Sequence, residues 1–357
     1  MKIYLRGFFS ENLGDDLFIH ILAERYPNVN FVLISNSEYA VSYSDEKNVE
    51  VIKQNMFDRV IQKIRKNVLN ISDIYDQIEN DCDASVLIGG SLFQEISGDD
   101  GAIKRLETFP GKYSKKTYVL GANFGPFHSQ DYLDATMDYL KSANDVCFRD
   151  RYSFNFFKEL SNVRYARDIV FNIDTIIPKK ECEDKYVVIS VIDFRTRRDL
   201  SVFADDYVKF IRKEIGFYHA LGYSVHIVSF CKAEGDESAI SEILEGCRGK
   251  NEIIEYNGLN WKEIVSDISG ADLIIATRFH SMILGFVYQI PTIPVIYNKK
   301  CLNILDDLGL SDRGVKTDSL RDISPEQLDP IIIKEIDDIK RESENQFLKL
   351  DDFLGRK

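Results

Sequence analysis

The residues most suited to chemistry lie in Ala271–Gly285, where the apolar run Leu273-Ile274-Ile275-Ala276 passes directly into Thr277-Arg278-Phe279-His280-Ser281. An apolar run of that length reads as a strand, and the polar cluster falls at its carboxyl end. A helix beginning near Phe279 would aim its first N–H groups and the positive end of its dipole at the same point as Arg278 and His280. Such a corner suits a phosphate or a carboxylate. A structural reading of the same residues pairs Arg278 with Asp272 or a domain partner and has His280 cap the helix.

Further candidates share the placement just past a strand. Gly7–Asp16 links a first strand to a first helix and carries Asn12, Gly14, Asp15 and Asp16; Gly14 permits a tight backbone, and either aspartate can cap the helix. Gly89-Gly90-Ser91 follows a buried run and allows a ligand close to the backbone. Either Arg149 or Arg151, in Cys147–Ser153, is placed to point into a cleft, or Arg149 forms a solvated surface pair with Asp150. Asp168, after Tyr165-Ala166-Arg167, can orient an arginine or cap a turn, and Gly121–Phe127 is a further glycine-containing loop. Phe8 and Phe9 are placed either to stack on a sugar ring or to join the core.

Other chemistries lose support. No His-Glu-x-x-His, Gly-x-x-x-x-Gly-Lys or Gly-x-Ser-x-Gly pattern occurs, which argues against zinc hydrolysis, P-loop chemistry and a nucleophile elbow. Asp81-Cys82-Asp83 resembles a metal-holding Asp-x-Asp pair but precedes its strand, so no metal is assigned to it. His20, His128, His219 and His226 read as structural. Arg59, Lys63, Arg65 and Lys66 alternate with apolar residues in a basic amphipathic stretch, expected to be a packed helix, with peripheral contact to an anionic membrane as the alternative.

Positioning these residues requires strands that end together. Lys2–Gly7, Asn30–Ile34, Ser85–Ile88, Thr117–Leu120 and Val146–Phe148 read as strands separated by helical patterns, the mark of a parallel sheet with crossover helices. The pattern lapses at Thr175–Asp184 and restarts with Tyr186–Ile192, Ser224–Phe230, Ile253–Tyr256, Leu273–Ala276 and Thr292–Ile296. The expectation is an α/β protein with two Rossmann-like domains, 1–178 and 184–322, facing across a cleft. Closing helices follow over 323–357. The length of 357 residues agrees with two cores.

Composition narrows the partners. A net charge of −13, from 45 basic and 58 acidic residues, disfavours nucleic acid, whereas a small anion needs only a few focused arginines. The six scattered cysteines point to free thiols. No apolar run approaches the roughly 20 residues of a membrane span, and the start, Met1–Arg6, lacks a secretory h-region, so a cytoplasmic protein is expected, at most at the inner face of the membrane.

Taken in order, Asn12-Leu13-Gly14-Asp15, Gly89-Gly90-Ser91, Gly121 to Gly125-Pro126, Arg149-Asp150 with Ser153, Asp168 and Thr277–Ser281, continued by Gly285, Ile290–Pro294, Tyr297 and Lys299, resemble the polysaccharide pyruvyl transferase family. Glu11 stands where that family commonly has glycine, and Phe171 where it tends to have proline. The resemblance implies a GT-B-like fold with the acceptor side in 1–178 and the donor side in 184–322, phosphoenolpyruvate as co-substrate, no cofactor or metal, and a cyclic pyruvate ketal on a sugar acceptor, a lipid-linked oligosaccharide being one form it allows. On it, His280, Arg278 and Asp168 are the expected catalytic residues. Arg149, Arg278, His280 and Ser281 are expected to bind the donor, and Asn12, Gly14, Asp15, Gly89, Gly90 and Ser91 to form the acceptor side or its loops. The alternatives are a nucleotide-sugar glycosyltransferase, with Glu234 and Asp236 available for the ribose, and a non-catalytic subunit of a polysaccharide assembly complex.

Overall fold

The computed structural model describes residues 1–55, 58, 74–96 and 101–356. The basic stretch with Arg59, Lys63, Arg65 and Lys66 lies outside them. The chain divides into two compact units, Met1–Ser10 with Phe18–Ile169 and Lys340–Lys357, and Glu11–Leu17 with Val170–Ile339.

The first unit is built on β1 (Lys2–Arg6), β2 (Asn30–Asn36), β3 (Val49–Gln54), β4 (Ala84–Ile88), β5 (Thr117–Ala122), β6 (Asp145–Phe148) and β7 (Val163–Tyr165). Every pairing in it is parallel, in the order β3-β2-β1-β4-β5-β6-β7. The connections include α1 (Leu13–Arg25), α2 (Ile74–Asp81), α3 (Ala102–Leu106), α4 (Gln130–Ser142) and α5 (Arg151–Phe157). β4, β5 and β6 are buried at every position because helices cover both faces of such a sheet. The direction of winding reverses between β1 and β4, where Gly7 approaches so closely that a Cβ on it would stand 2.5 Å from the Ile88 carbonyl oxygen.

The second unit carries β8 (Tyr186–Ser190), β9 (Ser224–Ser229), β10 (Asn251–Glu255), β11 (Leu273–Ala276), β12 (Thr292–Ile296) and β13 (Val315–Lys316), again all parallel, in the order β10-β9-β8-β11-β12-β13. Between these strands lie α6 (Ala204–Ala220), α7 (Asp236–Leu244), α8 (Trp261–Ser269), α9 (Phe279–Val287) and α10 (Lys299–Asp307). Here the reversal falls between β8 and β11, which is where ligands bind in open α/β sheets. Ser190 at the end of β8 meets the corner after β11 directly: its Oγ accepts the Arg278 backbone N–H at 3.1 Å.

The strands absent from the sequence reading, β3, β7 and β13, are edge strands. An edge strand is less completely covered, so β3, Val49-Glu50-Val51-Ile52-Lys53-Gln54, interrupts its apolar residues with charged ones instead of running apolar. The tail is helical. After a capping box at Ser324 and Gln327, α11 (Ile336–Glu344) and α12 (Leu348–Leu354) follow, and residues from Lys340 onward belong to the first unit. Asp351 accepts from Arg25 at 2.7 Å and from the Tyr26 hydroxyl at 2.7 Å, while Gln346 accepts the Gly121 N–H at 2.9 Å and donates to the Ala166 carbonyl at 3.0 Å. The division by contacts falls at Ile169, upstream of the lapse at Thr175–Asp184, and assigns Glu11–Leu17 to the second unit. All six cysteines are free thiols.

Candidate active site

In the second unit the corner after β11 is formed as its sequence implies: α9 starts at Phe279, with Arg278 as its N-cap residue in extended geometry. His280 therefore does not cap the helix. Its ring lies against the start of α1, where a Cβ on Gly14 would stand only 2.2 Å from the imidazole Nδ1. The segment Asn12–Gly14 is itself tied to this unit. Leu13 N–H donates to the Phe230 carbonyl at 3.0 Å, and Asn12 Nδ2 donates to Glu234 at 3.2 Å. Asn12, not an aspartate, caps α1, with its Oδ1 accepting the Gly14 N–H at 3.1 Å. Asp16 is buried and accepts the Tyr256 hydroxyl at 2.8 Å, and Asp15 sits half-buried on the first turn. The loop expected on the acceptor side thus packs with the residues expected to bind the donor.

Arg278 is not an open anion clamp. Its guanidinium is ion-paired with both Glu234 and Asp236, its Nε also reaches Asp236 at 3.1 Å and the Val191 carbonyl at 3.2 Å, and only 6% of the residue is exposed. Burial opposes its charge, but the two carboxylates more than offset this and raise its pKa further. Arg197 adds a second cation on Glu234 at 2.6 Å. Burial alone would raise the Glu234 carboxyl, yet Arg278 and Arg197 outweigh it and hold it below its ordinary value. Two guanidiniums and two carboxylates cancel, so this network by itself offers an anion little net charge. Asp272, the partner anticipated for Arg278, instead accepts the Tyr186 N–H at 3.0 Å. The Ser281 hydroxyl is fully buried and has no hydrogen-bond partner among the described residues.

A separate cluster occupies the first unit. Arg149, 2% exposed, donates to Asp168 at 2.9 Å and to Asn123 at 2.7 Å, and Asp168 is completely buried. Neither the surface pair with Asp150 nor an open clamp describes it. Asp150 caps α5 by accepting the Ser153 N–H at 2.8 Å. Gly90 is a mould for this arginine, since a Cβ there would lie 2.5 Å from Nη2. Gly89 has φ of 135°, a conformation open to glycine, and Ser91 is half-buried beside it. The Asp168 backbone is fastened by the tail, its carbonyl accepting the Ser343 hydroxyl at 2.5 Å. Sequence reasoning missed Glu234 and Asp236 as partners of Arg278 because they lie on another strand-to-helix connection, and no local spacing joins them.

Three of the remaining histidines are held by neighbours: His20 by Glu46, His219 by Asn251 and His226 by Asp267. Asp83, ahead of β4, accepts the Lys2 N–H at 2.9 Å.

The polysaccharide pyruvyl transferase family model matches residues 12–299. The chain belongs to that family. It is also 23% identical over 265 residues to the amylovoran biosynthesis protein AmsJ of Erwinia amylovora, a match covering 67% of this chain and 63% of that protein. Among solved structures it resembles the UDP-GlcNAc 2-epimerase of Methanocaldococcus jannaschii, with a TM-score of 0.53 and 13% identity over 87% of this chain and 93% of the other. Anabaena HepE gives 0.52 and 11% identity over 99% and 95%. At such identities the likeness concerns fold alone: two parallel-sheet α/β domains of the GT-B type. No helix among the described residues is long and apolar enough to cross a membrane.

Proposed function

We propose that this transferase moves the pyruvyl group of phosphoenolpyruvate onto two hydroxyls of one sugar, as a cyclic ketal, during synthesis of a bacterial exopolysaccharide or capsule. The observation that carries the reading is the seat of His280, at the carboxyl end of a switch-point strand, on the first turn of a helix and against Gly14. In the proposed sequence a proton adds to the methylene carbon of the enol, and one sugar hydroxyl bonds to the neighbouring carbon and releases its own proton. The carbon–oxygen bond to phosphate then breaks, and the second hydroxyl closes the ketal and passes its proton to the departing phosphate. One hydroxyl proton is thus returned to the methyl group, and the other leaves with phosphate.

Imidazole is the side chain suited to carrying protons both ways near neutral pH. Because Arg278 and Arg149 are each paired internally, the phosphate is assigned to the positive end of the α9 dipole and to His280 in its charged form. Arg278 acts as a positioning residue that holds the corner after β11 to Ser190 and Val191. Asp168 holds Arg149.

A nucleotide-sugar glycosyltransferase would need a carboxylate for the ribose hydroxyls. Asp236 is fully buried, with its oxygens taken by Arg278 and by the Phe230 and Cys231 N–H groups, and Glu234 already serves Arg278, Arg197 and Asn12. The deciding experiment supplies phosphoenolpyruvate with a panel of sugar acceptors and follows phosphate release and product mass. Acceptor-dependent phosphate release with a ketal in the product supports the proposal. Release of nucleotide from a nucleotide sugar, with none of phosphate, would replace it.

A further inference from the structure

One pocket within the first unit counts no member of either arginine cluster among its described lining residues. It has a volume of about 640 Å³ and opens where β1, β2 and β3 end, with Arg6, Phe8, Asn36, Gln54, Tyr75 and Arg105 among its lining. Its charge runs against that of the chain. In a protein of net charge −13, two guanidiniums face this space and the described lining residues include no aspartate or glutamate. Arg278, Arg149, Arg25 and Arg164 each meet a carboxylate, whereas Arg6, among the described residues, lies over the ring of Tyr75, 4.9 Å from its centroid. That ring is fixed in turn, since its hydroxyl donates to Gln54 at 2.7 Å. Arg105 is braced by a 2.9 Å hydrogen bond to the Gln94 carbonyl.

The remaining lining suits a saccharide. Phe8, 42% exposed, presents an aromatic face of the kind that stacks on the C–H side of a sugar ring. Asn36 and Gln54 supply amides for hydroxyl groups. The volume far exceeds a bare inorganic anion and falls within the roughly 300–1,000 Å³ typical of organic-ligand sites. We infer that this pocket binds the acceptor of the proposed transfer, and that the acceptor is an anionic sugar, carrying a carboxylate or a phosphate that meets Arg6. The inference rests on the pyruvyl-transfer reading for the word acceptor, while the binding itself does not.

The test is isothermal titration of the full chain with glucuronate and with glucose 1-phosphate, against glucose, inorganic phosphate and phosphoenolpyruvate, in wild type, Arg6→Met and Phe8→Ala. At least one anionic sugar should bind more tightly than glucose, with Arg6→Met weakening it tenfold or more and Phe8→Ala threefold or more. Comparing the two anionic sugars distinguishes carboxylate from phosphate as the recognised group. Phe8→Ala guards against misfolding, because Phe8 is among the exposed large apolar residues rather than in the core. The inference is overturned if neither anionic sugar binds, if Arg6→Met leaves their binding unchanged, or if inorganic phosphate or phosphoenolpyruvate binds as well with the same dependence on Arg6. Arg6-dependent sugar binding without any turnover of phosphoenolpyruvate would keep the pocket and remove the pyruvyl-transfer reading. Turnover on a neutral sugar at a rate that Arg6→Met does not change would do the reverse.

Discussion

Gly14→Ala separates geometry from stability at the candidate site. Gly14 lies in the first turn of α1, and alanine there gains up to about 1 kcal/mol in helix propensity. Against this, the new methyl would stand 2.2 Å from His280 Nδ1 and 3.1 Å from both Cε1 and Cγ. The imidazole or the α1 backbone must therefore retreat by about 1 Å, and overpacking of this kind costs about 1–3 kcal/mol. The two effects nearly cancel, leaving a net loss of about 0–2 kcal/mol, which is a few degrees in Tm. Catalysis has no such offset, because a misplacement of about 1 Å in a reacting group can cost about a hundredfold in rate. Phosphate release from phosphoenolpyruvate should thus fall about a hundredfold in kcat while the thermal midpoint barely moves. Wild-type kcat in a folded Gly14→Ala protein would refute the assignment of His280, and loss of the fold would show that the contact is structural.

His280→Ala should abolish turnover with Tm within a few degrees, whereas Arg278→Ala should also destabilise by about 3–5 kcal/mol, because it strands Asp236 and Glu234; paired melting curves and rates check both. Asp168→Asn removes a charged partner of the buried Arg149 and should lower unfolding free energy by about 3–5 kcal/mol in a denaturant titration. Glu214 on α6 is fully buried, neither of its carboxylate oxygens has a partner among the described residues, and burial, reinforced by Glu326, pushes its carboxyl up to about 8. The folded protein holds this proton between pH 4.5 and about 8, where the unfolded chain has released it, so stability falls as pH rises through that window. Glu214→Gln should therefore be neutral below the window and stabilising by a few kcal/mol above it, and equal pH profiles for the two proteins would contradict the burial argument.

The alternation of apolar runs with helical patterns was legible because central strands of a parallel sheet are covered on both faces and are therefore dominated by apolar residues, as β4, β5, β8 and β12, buried at every position, are. The corner at Thr277–Ser281 was equally readable, since strand end, N-cap and helix start are consecutive residues. Edge strands such as β3 escaped because less complete coverage leaves no continuous apolar run. The partners of the site residues depended on the tertiary structure. Nothing near Arg278 in the chain indicates that Glu234 and Asp236 will neutralise it, nothing near Gly14 that an imidazole will lie against its Cα, and nothing near Arg6 that it will face a pocket whose described lining holds no carboxylate. Local order is set by short-range periodicity, whereas the charge balance of a site is the sum over connections that only the assembled sheet brings together.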